Sequence, residues 1–322
     1  MTQARLPDFF VVGHPKCGTT ALYEMLRLHP QVFMPDLKEP WFFATELLHD
    51  LPTVSIAIPD GIPKTLGDYL ALFEGARPEQ LAGEASPLYL WSHSAASGIA
   101  KLQPDARIIA VFREPASFLR SLHLELVQRN QEPEKDLRTA INVEEMRRQG
   151  RYVSPSPWYW PTVVLYSDYV RYAQQLRRYQ VLFPPEQILV LIYDDFRSDN
   201  EAVMRAVQRF LGIGDTYPIE SMEANPSVSV RSTHLNNLVR NISTGDSSFS
   251  RAIKKLAEAI LPRQLRHKAL EITQRRLIYT KPEPPDDKLM LELQRRYKKE
   301  VEALSELLGR DLVTLWGYDD IH

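Results

Sequence analysis

Gly13 and Gly18 bracket the segment Gly-His-Pro-Lys-Cys-Gly-Thr-Thr, glycines at the spacing of a phosphate-binding turn with hydroxyl residues behind them. The backbone N–H groups of such a turn, with the positive end of the helix it opens, cradle a phosphate whatever molecule carries it. In a Walker A loop the lysine directly follows the second glycine and reaches the β- and γ-phosphates. Here Thr19 fills that slot, Thr20 takes the hydroxyl position, and Lys16 stands inside the turn. A kinase using ATP and Mg²⁺ stays open on the glycine spacing, because Asp194 and Asp195 follow an apolar run as a Mg²⁺-binding acid would. Acids after buried strands are commonly turn formers, however, and that is the reading adopted for both. The apolar run Arg-Ile-Ile-Ala-Val-Phe ends in Arg113, a cation where a metal-binding acid would otherwise stand.

These residues need elements to hold them. Asp-Phe-Phe-Val-Val-Gly before the turn is β-rich, and Thr-Ala-Leu-Tyr-Glu-Met-Leu-Arg-Leu after it has helical spacing. Further strands are expected in LAGEAS, ARIIAVF and QILVLIY, the last two continuous apolar runs of the kind that parallel strands covered on both faces show. ASFLRSLHLELVQRN and SDYVRYAQQLRRYQVLF read as helices between them, so the alternation implies a doubly wound α/β fold with ligands at the carboxyl ends of its strands. The stretch 44–63 and RYVSPSPWYWP read as loops over the site. In the second, Tyr152, Trp158, Tyr159 and Trp160 form either a flat aromatic wall for a ring or a loop that buries its own aromatics. Beyond Gly214 the chain turns polar and helical. Its last helix carries Leu289, Leu293, Tyr297, Val301, Leu304 and Leu308 on one stripe ahead of a capping Gly309.

Composition sets the outer bounds. The 322 residues suffice for one domain, expected as an α/β core over 1–214 with a mostly helical extension over 215–322 packed on it. A formal charge of −2 excludes the strongly basic face of a nucleic-acid binder. One cysteine excludes internal disulfides. With no basic-then-apolar leader and no apolar run near 20 residues, the expectation is a cytoplasmic protein without a transmembrane segment.

Pro-Lys-Cys-Gly-Thr-Thr, residues 15–20, resembles the 5′-phosphosulfate loop of PAPS-dependent sulfotransferases, in particular their heparan sulfate and bacterial branch. The resemblance implies a P-loop NTPase-like three-layer α/β/α fold with a central parallel sheet, PAPS as sulfuryl donor, PAP as product and no metal. Lys16 would then meet the oxygen bridging sulfur and phosphorus, with Cys17, Gly18, Thr19 and Thr20 around the 5′ phosphate. RIIAVFREPASFLRSLH resembles the family's 3′-phosphate motif and assigns Arg113, at the end of a strand, and Ser121, eight residues on, to that phosphate, where an arginine fork and a hydroxyl can converge. NPSVSVRSTHL resembles a later loop, which adds Arg231.

On the acceptor side, Lys-Glu-Pro-Trp-Phe-Phe resembles the segment whose glutamate is the general base. Glu39 takes that role here, and Lys38 holds the donor sulfate or tunes the carboxylate. Read without the resemblance, the pair is a solvated ion pair ahead of an aromatic plug. GEASPLYLWSHS resembles the segment that lines the acceptor pocket, with Ala85 where a lysine often stands. His93 is a rival base and His14 a more remote one. Cys17 reads as a small buried filler with a thiol sensitised by the helix N-terminus. The implied acceptor is a small-molecule alcohol, phenol, glycan or glycolipid. A kinase and a catalytically silent nucleotide-binding partner stay open as rivals at this point.

Overall fold

The fold is that of a computed structural model. It is described for residues 5–50, 61–152, 154, 156, 158–215, 217–218, 229–230, 279–280 and 282–321. Strands β1 (Phe9–Gly13), β2 (Val32–Phe33), β3 (Leu81–Ala85), β4 (Arg107–Phe112) and β5 (Ile188–Ile192) form a parallel sheet in the order β2-β3-β1-β4-β5. Every residue of β1 is buried, so side chains pointing to either face meet packed helices and the alternation of a one-sided sheet is absent. Helix α1 (Thr19–Leu28) carries the chain from β1 over β3 to the edge strand β2. The later crossovers, β3 to β4 through α4 (Ala95–Leu102) and β4 to β5, travel the other way along the sheet. Right-handed crossovers in opposite directions put their helices on opposite faces, which gives three layers. The reversal falls beside β1, so the crevice for a ligand opens between the carboxyl ends of β1 and β4.

The expected strands are all present, and the two-residue β2 is an edge that no pattern in the sequence announced. The first of the loops expected over the site contains α2 (Thr45–Asp50), with α3 (Leu66–Ala71) after it, and residues 51–60 lie outside the described residues. Between β4 and β5 run α5 (Pro115–Gln128), α6 (Leu137–Asn142), α7 (Glu144–Arg148), α8 (Tyr166–Tyr169) and α9 (Tyr172–Gln180). The single helix expected over SDYVRYAQQLRRYQVLF is thus two, α8 and α9, separated at Val170 and Arg171.

After β5 come α10 (Tyr193–Ser198) and α11 (Asn200–Leu211). Then follow the short antiparallel pair β6 (Ser229–Val230) and β7 (Tyr279–Thr280), α12 (Asp287–Leu308) and α13 (Leu312–Leu315). In α12 the stripe Leu289, Leu293, Tyr297, Val301 and Leu304 is buried, Leu308 is half-buried, and Gly309 at φ 59° closes the helix. This helix packs on α5 and α9. Among the described residues no helix is long and apolar enough to cross a membrane.

The sheet is tight enough to fix one glycine by space alone. Gly83 pairs with Phe9 across β1 and β3, and a Cβ at 83 would stand 2.0 Å from the Phe9 ring. Gly83→Ala is therefore expected to cost about 1–3 kcal/mol, the usual penalty of overpacking, read as a lowered midpoint in thermal or urea unfolding. An unchanged midpoint would mean that Phe9 moves aside freely.

Candidate active site

Between β1 and α1 the chain turns through residues 14–18. Gly18 sits at φ 83°, ψ 2°, and a Cβ there would meet the rings of Phe196 at 3.1 Å and Tyr193 at 3.2 Å. Left-handed backbone in a close-packed corner needs glycine. Lys16 is left-handed too, at φ 64°, without that freedom. Such a conformation costs about 1–3 kcal/mol and persists where the surroundings over-determine it, typically at functional sites. The Lys16 ammonium is 3.8 Å from Glu125 Oε2 on α5, and both side chains are mostly buried. Burial lowers its pKa; the Glu125 carboxylate partly offsets this, and the Arg113 charge adds to the lowering.

Arg113 closes the crevice from the β4 side. Its Nη1 donates to the Lys16 carbonyl oxygen at 2.8 Å, its Nε donates to Ser117 Oγ at 3.2 Å, and the guanidinium lies 4.7 Å over the Tyr193 ring. Glu114 caps α5 by accepting from the N–H groups of Ala116 and Ser117 at 2.9 and 2.6 Å. The hydroxyl bound to Arg113 is thus one turn nearer than Ser121, which is buried on the same helix. Ser117, Tyr193, Glu125 and Arg129, whose Nη2 is 2.5 Å from Glu125, belong to this cluster and were missed. A usable signal existed for two of them: Ser117 and Glu125 stand four residues either side of Ser121, on one helix face.

Four residues of this stretch behave differently from expectation or from one another. Thr19 is buried, whereas Thr20 is exposed. Cys17 is fully buried, as a filler should be, but its thiol is not sensitised. Burial pushes its pKa up to about 12, outweighing the pull of Arg113, so the expected alkylation sensitivity is withdrawn. His14 is fully buried, stacks on Tyr172 at 5.4 Å and shares a hydrogen bond of 2.8 Å between Nε2 and Gln175 Oε1. Burial holds its pKa at about 3, so it is neutral and packs the underside of the turn.

The acceptor side is built from the loop after β2. Lys38 Nζ pairs with Glu39 Oε1, both half-buried, and the Glu39 N–H donates to the Ala85 carbonyl at the end of β3 at 3.2 Å. Ser86 N–H donates in turn to the Val11 carbonyl at 3.2 Å, so Glu39 and the Lys16 turn leave from the same ends of neighbouring strands. Glu39 and Trp41 are left-handed, at φ 61° and 53°. The strained non-glycine backbone of the described residues therefore falls at Lys16, Glu39, Trp41 and Asn130, three of the four in the two segments singled out for chemistry.

The aromatic loop faces inward. Trp158, Tyr159 and Trp160 are buried, Trp160 meets Trp41 edge-on at 6.2 Å, and Tyr152 OH donates to Glu134. Of the two readings, the loop that buries its own aromatics is the observed one. It is backed by a fully buried pair in which Arg147 donates to both oxygens of Glu132 at 2.7 Å.

His93 is exposed, contacts Arg178 at 3.2 Å and borders a cavity of about 260 Å³ whose lining includes neither Lys16 nor Glu39. Asp194 accepts from Trp316 Nε1 at 3.0 Å, and Asp195 is held by Arg310 at 2.6 and 2.8 Å. Both acids stand in the first turn of α10 and are engaged by the C-terminal segment, so the expected turn is a helix start. Arg231 lies outside the described residues.

Comparison with known proteins places the chain in a family. The Sulfotransferase domain family matches residues 6–256, well over half of the chain. Carbohydrate sulfotransferase 15 of Mus musculus is 26% identical over 255 residues, covering 65% of this chain and 44% of its own length. Bifunctional heparan sulfate N-deacetylase/N-sulfotransferase 4 of Mus musculus is 29% identical over 216 residues, covering 66% of this chain and 23% of its own. The chain thus spans less than half the length of these relatives. A crystal structure of a sulfotransferase from Alicyclobacillus acidocaldarius superposes with a TM-score of 0.64 at 25% identity, covering 97% of this chain and 99% of that one. The family match runs through all five strands of the parallel sheet and through the segments that carry Lys16, Glu39 and Arg113. This chain belongs to the sulfotransferase family.

Proposed function

We propose that the protein transfers a sulfuryl group from PAPS to the hydroxyl of a glycan or glycolipid acceptor. The observation that carries the reading is the Lys16 turn, with the lysine inside the loop, its ammonium beside Glu125 and its carbonyl held by Arg113. That arrangement suits a donor with one phosphate and one sulfuryl group at its 5′ end, where charge develops on the oxygen between them. Engagement of Asp194 and Asp195 by Trp316 and Arg310 removes the acids that an ATP–Mg²⁺ kinase would need.

In the proposed reaction the acceptor oxygen attacks sulfur, the new O–S bond forms, and the bond from sulfur to the bridging oxygen breaks in line. Glu39 takes the acceptor proton, and PAP leaves. Lys16 stabilises the charge growing on the bridging oxygen, which is worth most in a water-poor site. Lys38 keeps the Glu39 carboxylate oriented and adds positive charge beside the incoming sulfuryl. The turn amides with Cys17, Gly18, Thr19 and Thr20 hold the 5′ phosphate, while Arg113, Ser121 and Arg231 hold the 3′ phosphate. Because the 3′ phosphate takes no part in bond breaking, its contacts act through binding energy. The carbohydrate acceptor is supported by the names of the relatives.

Calorimetric titration with PAP, against 5′-AMP and ATP–Mg²⁺, tests the donor. PAP is expected to bind at least about tenfold more tightly than 5′-AMP, the effect of one or two charge-assisted contacts to the 3′ phosphate. Binding of ATP–Mg²⁺ in preference to PAP would refute the donor assignment. Transfer of labelled sulfate from PAPS to a panel of glycosaminoglycan backbones, glycolipids and phenols then tests the acceptor.

A further inference from the structure

Beneath the base-bearing loop lies a buried carboxyl group with no part in the chemistry described so far. Glu84, on β3, is fully buried one residue before Ala85, whose carbonyl binds the Glu39 N–H. Three hydroxyl groups converge on it. Ser86 Oγ donates to Oε1 at 2.6 Å, Tyr69 OH donates to Oε2, and Tyr89 OH lies near the same carboxyl. Both tyrosines reach the loop that carries Glu39. Tyr69 stacks on Phe42 at 4.6 Å with 12° between the rings, and Tyr89 OH accepts the Phe43 N–H at 3.3 Å. The loop is therefore fastened at its beginning to β3 and at its end to Tyr69 and Tyr89.

Left-handed backbone at Glu39 and Trp41 needs such fastening at both ends, since a freed loop would relax to ordinary φ values and carry the Glu39 carboxylate with it. We infer that Glu84 is a positioning residue for sulfuryl transfer, acting through Tyr69 and Tyr89 to hold the strained 38–43 loop in the conformation that aims Glu39. This rests on the reading of Glu39 as the base.

The network also carries its own signature. The hydroxyl donors on the two carboxyl oxygens are satisfied when Glu84 is ionised, whereas a protonated Glu84 carries a proton on one of those oxygens and disturbs the bond it accepts there. Burial pushes its pKa up to about 7, against the pull of the three hydroxyl groups. The other titratable groups facing it are the phenols of Tyr69, Tyr89 and Tyr179, all driven further from ionisation by burial, so none of them titrates near neutrality. The folded-state value lies above the unfolded one, so the native state holds this proton more firmly and stability falls as pH rises toward and through about 7. Positioning runs the other way, because the ionised network is the complete one. A merely structural carboxyl would not give kcat and stability opposite slopes.

The experiment measures turnover from PAPS, PAP affinity and unfolding midpoint from pH 5.5 to 8.5 (a range set to straddle the Glu84 titration, about one and a half units either side). The proteins are the wild type, Glu84→Gln, Tyr69→Phe, the double variant and Glu39→Gln; turnover is to the best glycan acceptor or, absent one, to water. Glu84→Gln is expected to lower kcat on the order of 10- to 100-fold, the cost of a misaimed group, with PAP affinity within about twofold. It should also lose the acid limb of kcat near pH 7 and flatten the pH dependence of stability. Tyr69→Phe should share part of the kcat loss, and the double variant should lose little more than Glu84→Gln alone. A Glu84→Gln kcat close to wild type, an unchanged acid limb, or a kcat loss matched by lost PAP affinity overturns the inference. Should Glu39→Gln itself turn over normally, the reading of the base fails instead, whatever Glu84→Gln does.

Discussion

Glu39→Gln is expected to lower kcat by about 10²–10⁴-fold, the usual contribution of a placed general base, with KM for PAPS nearly unchanged. An alcohol attacks sulfur poorly until its proton leaves, and glutamine fills the same space without accepting that proton. The substitution is also mild for the fold. Its backbone N–H still reaches Ala85, and its amide oxygen still accepts from Lys38. An unfolding midpoint close to wild type with kcat collapsed is the expected pair of results. Residual activity above about a tenth of wild type would move the base elsewhere, with exposed His93 the first residue to examine.

Lys16→Ala should cost about 10²–10³-fold in kcat, comparable to removing one donor from a site that stabilises developing negative charge. Its partner matters to the reading. With the ammonium gone, Glu125 keeps Arg129 at 2.5 Å, so the carboxylate is not left buried and unpaired and the protein should fold. Arg113→Ala is the informative comparison. It should raise KM for PAPS through the 3′ phosphate and also trim kcat, because the lost guanidinium no longer holds the Lys16 carbonyl. Stopped assays over a range of PAPS concentrations separate the two constants. If both variants change kcat and KM equally, the division between a reacting-centre cation and a binding cation is wrong.

Much of this site was legible before any coordinate. The turn from Gly13 to Thr20, the strands around it, the α12 stripe and Gly309 are all decided by residues within a few positions of one another. Local backbone preference and side-chain period act at that range, so a linear pattern records them. The family resemblance then singled out Arg113, which follows β4, and Glu39, whose N–H meets the end of β3, two strands that flank β1 in the sheet.

Other features depend on contacts that sequence spacing does not encode. Arg113 meets Lys16 across 97 positions, Tyr69 meets Glu84 across 15, and Arg310 takes Asp195 across 115. Whether Cys17 is reactive turned on desolvation, which outweighs the neighbouring Arg113 charge only because the thiol is fully buried. The inward turn of Trp158–Trp160 was equally undecidable from composition, since an aromatic cluster packs on a ligand or on itself by the same forces. The sequence by itself determined the phosphate turn, the parallel α/β core and the family, because each is written in short-range pattern. Tertiary structure alone decided which carboxylates are engaged, which is buried beneath the Glu39 loop, and where the backbone is strained, because burial and long-range pairing exist only once the chain has closed on itself.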